Sequence, residues 1–266
     1  MQPTILVFDS GLGGLTVEAE ITRQRPDARI VYCGDDAVFP YGRLSPEALV
    51  ARVMMVMERL IPRYAPDIVV IACNTASTLV LPHLRSHFEV PFVGTVPAIK
   101  PAAAQSKTGV FSVLATPGTV RRDYTYDLIL KFAAESRVTL IGAEGLAGLA
   151  EAHLRGEPVS DEAIRAEILP AFVDHDGKHT DTIVLACTHY PLLLERFRAL
   201  APWPVAWIDP GPAIARRVVQ LIGVPPPGAT KGEGLALFTG DRPPAPPLRA
   251  ALARAGFGEI AALQLN

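Results

Sequence analysis

Two cysteines of this sequence stand in equivalent settings. Cys73 follows the apolar run DIVVIA (67–72) and precedes Asn74 and Thr75; Cys187 follows DTIVLA (181–186) and precedes Thr188 and His189. A free cysteine is ordinarily a small buried hydrophobe. Here polar neighbours, and a helix expected to begin just beyond each, favour proton chemistry, because a helix N-terminus stabilises thiolate. An unperturbed thiol titrates at about 8.5, so a modest shift brings it into working range near neutral pH. Two equivalent thiols fit a reaction with two opposed proton-transfer sites. Inversion of a carbon stereocentre is such a reaction: one group takes the proton from one face, the other returns a proton to the opposite face, and the roles exchange for the other enantiomer. Cys33, the remaining cysteine of three, lies inside the strand-like ARIVYCG (28–34) and is expected to be structural.

Competing chemistries fit less well. Cys73 and Cys187 are not in CxxC spacing and only His189 lies close to either, so no metal is expected. A single cysteine nucleophile with His189 as its base leaves the second thiol unexplained. DSGLGG (9–14) lacks both the Walker Lys-Ser/Thr and the full GxGxxG, which argues against a nucleotide site. A lysine-centred PLP signature is missing as well, so no cofactor is expected. A two-lobed small-molecule receptor would have no need of opposed thiols.

Composition narrows the setting. The 266 residues carry 25 Lys+Arg against 27 Asp+Glu, a net charge of −2, which gives no basic footprint for nucleic acid. No uncharged apolar run reaches membrane-spanning length. MQPTILVFDS is not a signal peptide. Three cysteines are too few for a disulfide framework. A reduced, cytoplasmic protein is the expectation.

The elements that must position the thiols alternate. Strands are expected at 4–9, 28–34, 67–72, 91–96, 108–115, 137–142, 181–186, 205–209 and 235–240, with one more at the C-terminus. Helices are expected at about 15–25, 46–64 (capped by Ser45), 119–134, 143–155, 161–175, 212–222 and 246–255. Near-continuous apolar strands alternating with helices predict an α/β fold with mainly parallel sheets flanked by helices. The pattern also repeats. VFDSGLGGLTV (7–17) pairs with VFSVLATPGTV (110–120), and VIACNTASTLVLPHL (70–84) with VLACTHYPLLLERFR (184–198). Two similar α/β halves follow, with the site between them at the carboxyl ends of strands.

Five segments then carry a resemblance: FDSGLGG (8–14), GDDAVFPYG (34–42), ACNTAS (72–77), TPGTV (116–120) and ACTHYPLL (186–193). In type and order they resemble the glutamate racemases of the aspartate/glutamate racemase superfamily. The resemblance implies cofactor-independent interconversion of L- and D-glutamate, with D-glutamate serving peptidoglycan synthesis, cell wall biogenesis and cell shape. A relative acting on aspartate or another acidic substrate with the same thiols is the alternative. Two pseudo-symmetric domains are implied, 1–97 plus 209–266 and 98–208, with the active site in the cleft between them. Glutamate is the implied ligand, no nucleic acid or membrane is expected, and the resemblance admits a homodimer.

The resemblance implies Cys73 and Cys187 as the acid/base thiols, with Asp9 and His189 as catalytic helpers. Asp9, Ser10, Tyr41, Gly42, Asn74, Thr75, Thr116, Thr119, Thr188 and His189 match substrate-binding positions. Asp9 could meet the substrate ammonium or assist Cys73; as an Asx-turn or helix cap it would be structural. Asn74, Thr75 and Thr188 bring amide and hydroxyl groups beside the thiols and, with backbone N–H groups, could hold the α-carboxylate. Tyr41 reads equally as a core residue. Glu151 resembles an acidic helper near the second thiol, although a solvated helix face explains it as well. TVPAIKP (95–101) departs from the family, which often has an acidic residue before its proline, and it falls at the expected domain crossover.

Overall fold

The computed structural model describes residues 2–265. A first alternating run holds β1 (Thr4–Asp9), α1 (Leu15–Gln24), β2 (Arg29–Gly34), α2 (Pro46–Tyr64), β3 (Ile68–Ile71), α3 (Asn74–His87) and β4 (Phe92–Gly94). A second opens with α4 (Ile99–Gln105), β5 (Val110–Ala115), α5 (Pro117–Val120), α6 (Asp123–Phe132), β6 (Arg137–Gly142), α7 (Leu146–Leu154) and α8 (Asp161–Ile168). It continues through β7 (Asp174–His175), β8 (Lys178–His179), β9 (Thr182–Ala186), α9 (Leu194–Leu200) and β10 (Ala206–Ile208). The chain closes with α10 (Gly211–Ile222), β11 (Gly234–Phe238), α11 (Pro246–Ala255) and β12 (Phe257–Ala262).

Two large sheets result, each wholly parallel, beside the small antiparallel β7–β8 pair. The larger runs β12-β11-β2-β1-β3-β4 and the smaller β6-β5-β9-β10. Without β11 and β12, the larger sheet has the strand order of the smaller, so the repeat legible in the sequence is a repeat of topology. It pairs the loop after β1 with the loop after β5, and the loop after β3 with the loop after β9. In each sheet the order reverses between those two strands. The crevice at such a switch point is where open α/β sheets bind ligands.

The central strands are largely apolar because both faces are covered. In the large sheet Leu6, Phe8, Val69 and Ile71 pack with α2 and α3, while Ile5, Val7, Ile68 and Val70 pack with α1 and α10. In the small sheet Leu114, Ile183 and Leu185 face α7, α8 and α9, and Val113, Val184 and Ala186 face α4 and the far side. Cys33 is fully buried in β2 among the first of these groups.

Three helix expectations differ from the structure. The helix expected over 161–175 ends at Ile168, gives one 3-10 turn at Leu169–Ala171, and yields to the β7–β8 hairpin. Pro170 has no N–H to continue the ladder. Asp176 and Gly177 then take φ of 55° and 77°, both positive as a tight type I′ hairpin turn requires. The helix expected over 119–134 is two helices: Pro117 starts the short α5, capped by Thr116 Oγ1, and α6 begins afresh at Asp123. The helix expected over 143–155 starts at Leu146. No helix among the described residues is long and apolar enough to cross a membrane.

Candidate active site

Cys73 is the N-cap residue of α3, and its Sγ donates to Ser10 Oγ at 3.6 Å. Cys187 follows β9, but no α-helix starts beside it. A 3-10 turn at Tyr190–Leu193 intervenes before α9, so the expected helix N-terminus is present for Cys73 alone. Both thiols open onto one cavity. Ser10, Cys73, Asn74 and Thr75 wall it on the large-sheet side; Thr116, Ala147, Cys187, Thr188 and His189 wall it on the small-sheet side; Phe39, Pro40, Tyr41 and Gly42 complete it. About 20 Å³ is open to the centre of a water molecule, room for one or two waters.

Each thiol has its own company. Cys187 Sγ lies 3.7 Å from His189 Nδ1, and His189 Nε2 lies 2.9 Å from Glu151 Oε1. Leu12 N–H donates to Glu151 Oε1 at 2.6 Å and Arg155 donates to Oε2 at 3.0 Å. Burial raises the Glu151 carboxyl, but the His189 hydrogen bond and charge, with Leu12 and Arg155, hold it below the usual carboxylate range. Burial would lower His189, yet its hydrogen bonds to Cys187 and Glu151 and the charge on Asp9 carry it well above the usual imidazole range. The pair is an imidazolium donating to a carboxylate. The Gly13 amide, 3.2 Å from the same Nε2, is then a close neighbour and not its donor. Sequence reasoning gave Glu151 a solvated face as readily as a site role; the structure buries it behind His189.

On the other side Asp9 is fully buried. Its Oδ2 accepts from Gly11 N–H at 3.1 Å and its Oδ1 from Thr188 Oγ1 at 3.1 Å. Burial raises its pKa against the opposing pull of His189 and these donors. Burial also pushes the Cys73 thiol up to about 12; the Asp9 charge adds to that, and hydrogen bonds from Ala76 N–H and with Ser10 oppose it. The modest shift toward neutrality expected for this thiol is therefore not found in the closed, desolvated site. Cys73 rests as a thiol.

The glycine-rich turn after β1 has a steric reason. A Cβ at Gly11 would strike Glu151 Oε1, and one at Gly13 would strike His189 Nδ1 and Thr188 Oγ1. These glycines let the two halves close on one another.

The remaining polar groups divide. Asn74 is 2% exposed, and neither its Oδ1 nor its Nδ2 has a hydrogen-bond partner. Such a pair of orphans is costly unless something fills the cavity. Thr75, Thr116 and Thr119 form a closed triangle of hydroxyls at 2.9, 3.3 and 3.1 Å, of which Thr119 sits behind the wall. The Tyr41 hydroxyl turns away, donating to buried Asp35 Oδ2 at 2.5 Å. Asp35 also accepts from Arg52 at 2.6 and 2.9 Å and from Thr239 Oγ1 at 2.5 Å. This network clamps the Tyr41–Gly42 segment against the large sheet. Sequence reasoning missed it, although the GDD at 34–36 was a signal, as it missed Phe39, whose ring lies 5.3 Å from that of His189.

Parallel sheets of repeated topology each bring a cysteine to one shared switch-point cavity on an α/β scaffold. Comparison with known proteins agrees: the profile of the Asp/Glu/hydantoin racemase family matches residues 16–218, and the chain belongs to that family. It is a racemase, an isomerase. Over 241 residues it is 54% identical to the glutamate racemase of Agrobacterium fabrum, covering 90% of this chain and 88% of that protein. Over 219 residues it is 58% identical to the glutamate racemase of Brucella canis, covering 82% and 79% respectively. The crystal structure of Escherichia coli glutamate racemase, in complex with L-glutamate and the activator UDP-MurNAc-Ala, superposes with a TM-score of 0.90 at 41% identity, covering 99% of this chain and 98% of that one.

Proposed function

We propose that this racemase interconverts L- and D-glutamate, without a cofactor, by proton transfer between two opposed thiols. The observation that carries the reading is that Cys73 and Cys187, from equivalent strands of the two sheets, open onto one cavity beside the unpartnered amide of Asn74. Relatives that carry the name glutamate racemase, at 54% and 58% identity, support glutamate over aspartate.

The α-proton of an amino acid is very weakly acidic, so the site must stabilise the carbanion by preorganised hydrogen bonds and exclusion of water. Cys73 would act on one face with Asp9 as its positioning and proton-accepting neighbour; Cys187 would act on the other, held by the His189–Glu151 pair. Asn74 and the threonine hydroxyls would take the substrate carboxylates. Since the closed cavity has room for a water or two, substrate must be admitted by opening. The moving bodies would be two lobes, 1–97 plus 209–266 and 98–208, each built on one of the sheets. D-Glutamate made this way would supply peptidoglycan synthesis, in a cytoplasm that keeps three free cysteines reduced.

The test is polarimetry of L-glutamate and L-aspartate in parallel, with reduced enzyme and no added cofactor. Glutamate should racemise and aspartate should lag far behind. A folded, reduced enzyme that leaves glutamate optically active refutes the reading, and faster turnover of aspartate would assign the alternative substrate.

A further inference from the structure

The closed cavity has no Lys or Arg in its wall. Its polar wall is made of amide, hydroxyl, thiol and imidazole groups, and the chain as a whole carries −2. The wall's one cationic group, the His189 imidazolium, is paired with Glu151, so a substrate with two carboxylates and one ammonium gains little long-range attraction from the wall and meets slight repulsion from the rest of the molecule.

A second cavity, about 340 Å³ by the same measure, supplies what the first lacks. It shares Pro40, Gly42, Thr116 and Ala147 with the closed one, so the two adjoin across a common partition. Its other walls include Arg43, Arg121 and Glu144, all exposed. Among the described residues no salt bridge engages either arginine. Against Glu144 the pair leaves one net positive charge at the mouth. The arginines also come from opposite sides. Arg43 ends the segment that the Asp35 network clamps to the large sheet, and Arg121 follows α5 of the small-sheet half. They flank the seam along which the two halves would part.

We propose that this cavity is the antechamber through which an acidic amino acid reaches and leaves the thiols, with Arg43 and Arg121 as its anion-attracting pair. This rests on the reading of the site as a glutamate racemase. The charge sits outside the catalytic cavity for a physical reason. A guanidinium at the reacting centre would hold substrate and product as tightly as the transition state, which adds nothing to turnover. At the mouth it raises the local concentration of anions and is screened by salt.

The test is a charge series read against ionic strength. In the Arg43→Gln/Arg121→Gln double variant, kcat/KM for L-glutamate at low ionic strength should fall about fivefold or more, with kcat within about twofold, and the deficit should vanish near 0.5 M salt. Glu144→Gln should act with the opposite sign, raising kcat/KM at low salt. Arg254→Gln, exposed elsewhere, should do neither. A second readout does not depend on turnover: the rate at which iodoacetate alkylates Cys73 and Cys187, divided by that of neutral iodoacetamide, should fall in the double variant and rise in Glu144→Gln. An unchanged ratio, or a kcat/KM deficit that persists at high salt, overturns the proposal. If the wild type fails to racemise glutamate, the functional reading falls, and the alkylation ratio still decides whether the mouth selects anions.

Discussion

The two halves of the site share a topology and differ in chemistry. Cys73 and Cys187 follow corresponding strands, β3 and β9, of sheets with the same core strand order. Yet Cys73 caps a 14-residue helix and has Ser10 and the buried carboxyl of Asp9 for company, whereas Cys187 precedes a 3-10 turn and lies against an imidazolium–carboxylate pair. The large-sheet side pushes its thiol up by burial, to which the Asp9 charge adds; the small-sheet side gives its thiol a cationic neighbour. The repeated topology brings one thiol to the cavity from each sheet, and the surroundings of the two differ. A racemase must work in both directions, but nothing requires the two proton transfers to be managed by the same groups.

This asymmetry is breakable in steps. Cys73→Ser or Cys187→Ser should each lower racemisation by about a thousandfold or more in both directions with the fold intact, if, as proposed, every turnover uses both thiols. Equal survival of activity in both variants would end the two-sided account. His189→Asn and Glu151→Gln come next, with losses of about a hundredfold. His189→Asn should slow iodoacetamide alkylation at Cys187 and leave Cys73 near its wild-type rate, as followed by peptide mass spectrometry.

Asp9→Asn should cost racemisation about tenfold or more while moving alkylation the other way. The Asp9 charge helps hold the Cys73 thiol near 12, so its removal lowers that pKa and speeds alkylation at Cys73. In the wild type, with the thiol at about 12, the Cys73 rate should climb roughly tenfold per pH unit from pH 7 to 10. In Asp9→Asn the rate should be higher at each pH and level off at lower pH. A catalytic loss without that displacement would make Asp9 a merely structural residue. The smallest effect on turnover belongs to Cys33→Ser. Rates should stay within about twofold of wild type, while a hydroxyl placed in the core costs about 1–3 kcal/mol in denaturant unfolding.

The sequence was most legible where both faces of an element are buried. TILVFD, ARIVYCG and DTIVLA became strands β1, β2 and β9 within a residue of expectation, because a continuous apolar run between turn signals has few other solutions. The repeat of ACNTAS and ACTHYPLL was legible too, and it is a repeat of strand order. Legibility failed where distant contacts decide. Pro170 and the Asp176–Gly177 turn cut short a helix whose apolar periodicity alone continued. Cys187 lost its expected helix start to the 3-10 turn that holds Pro191. Glu151 looked like surface because the groups that bury it, Leu12 and His189, lie 139 and 38 residues away. Tyr41 was undecided because its partner Asp35 also needed Arg52 and Thr239. The glycines of DSGLGG marked a turn, but what they make room for, Glu151 and His189, belongs to the other half.

The central claim, two opposed thiols acting on one carbon, is tested most directly by incubating L-glutamate with the enzyme in D2O and sampling before equilibrium. The account predicts D-glutamate carrying deuterium at Cα, delivered by the second thiol, while recovered L-glutamate remains protiated. Product that retains its original proton, or deuterium appearing equally early in recovered L-glutamate, would mean that a single group both removes and returns the proton, and would contradict the account.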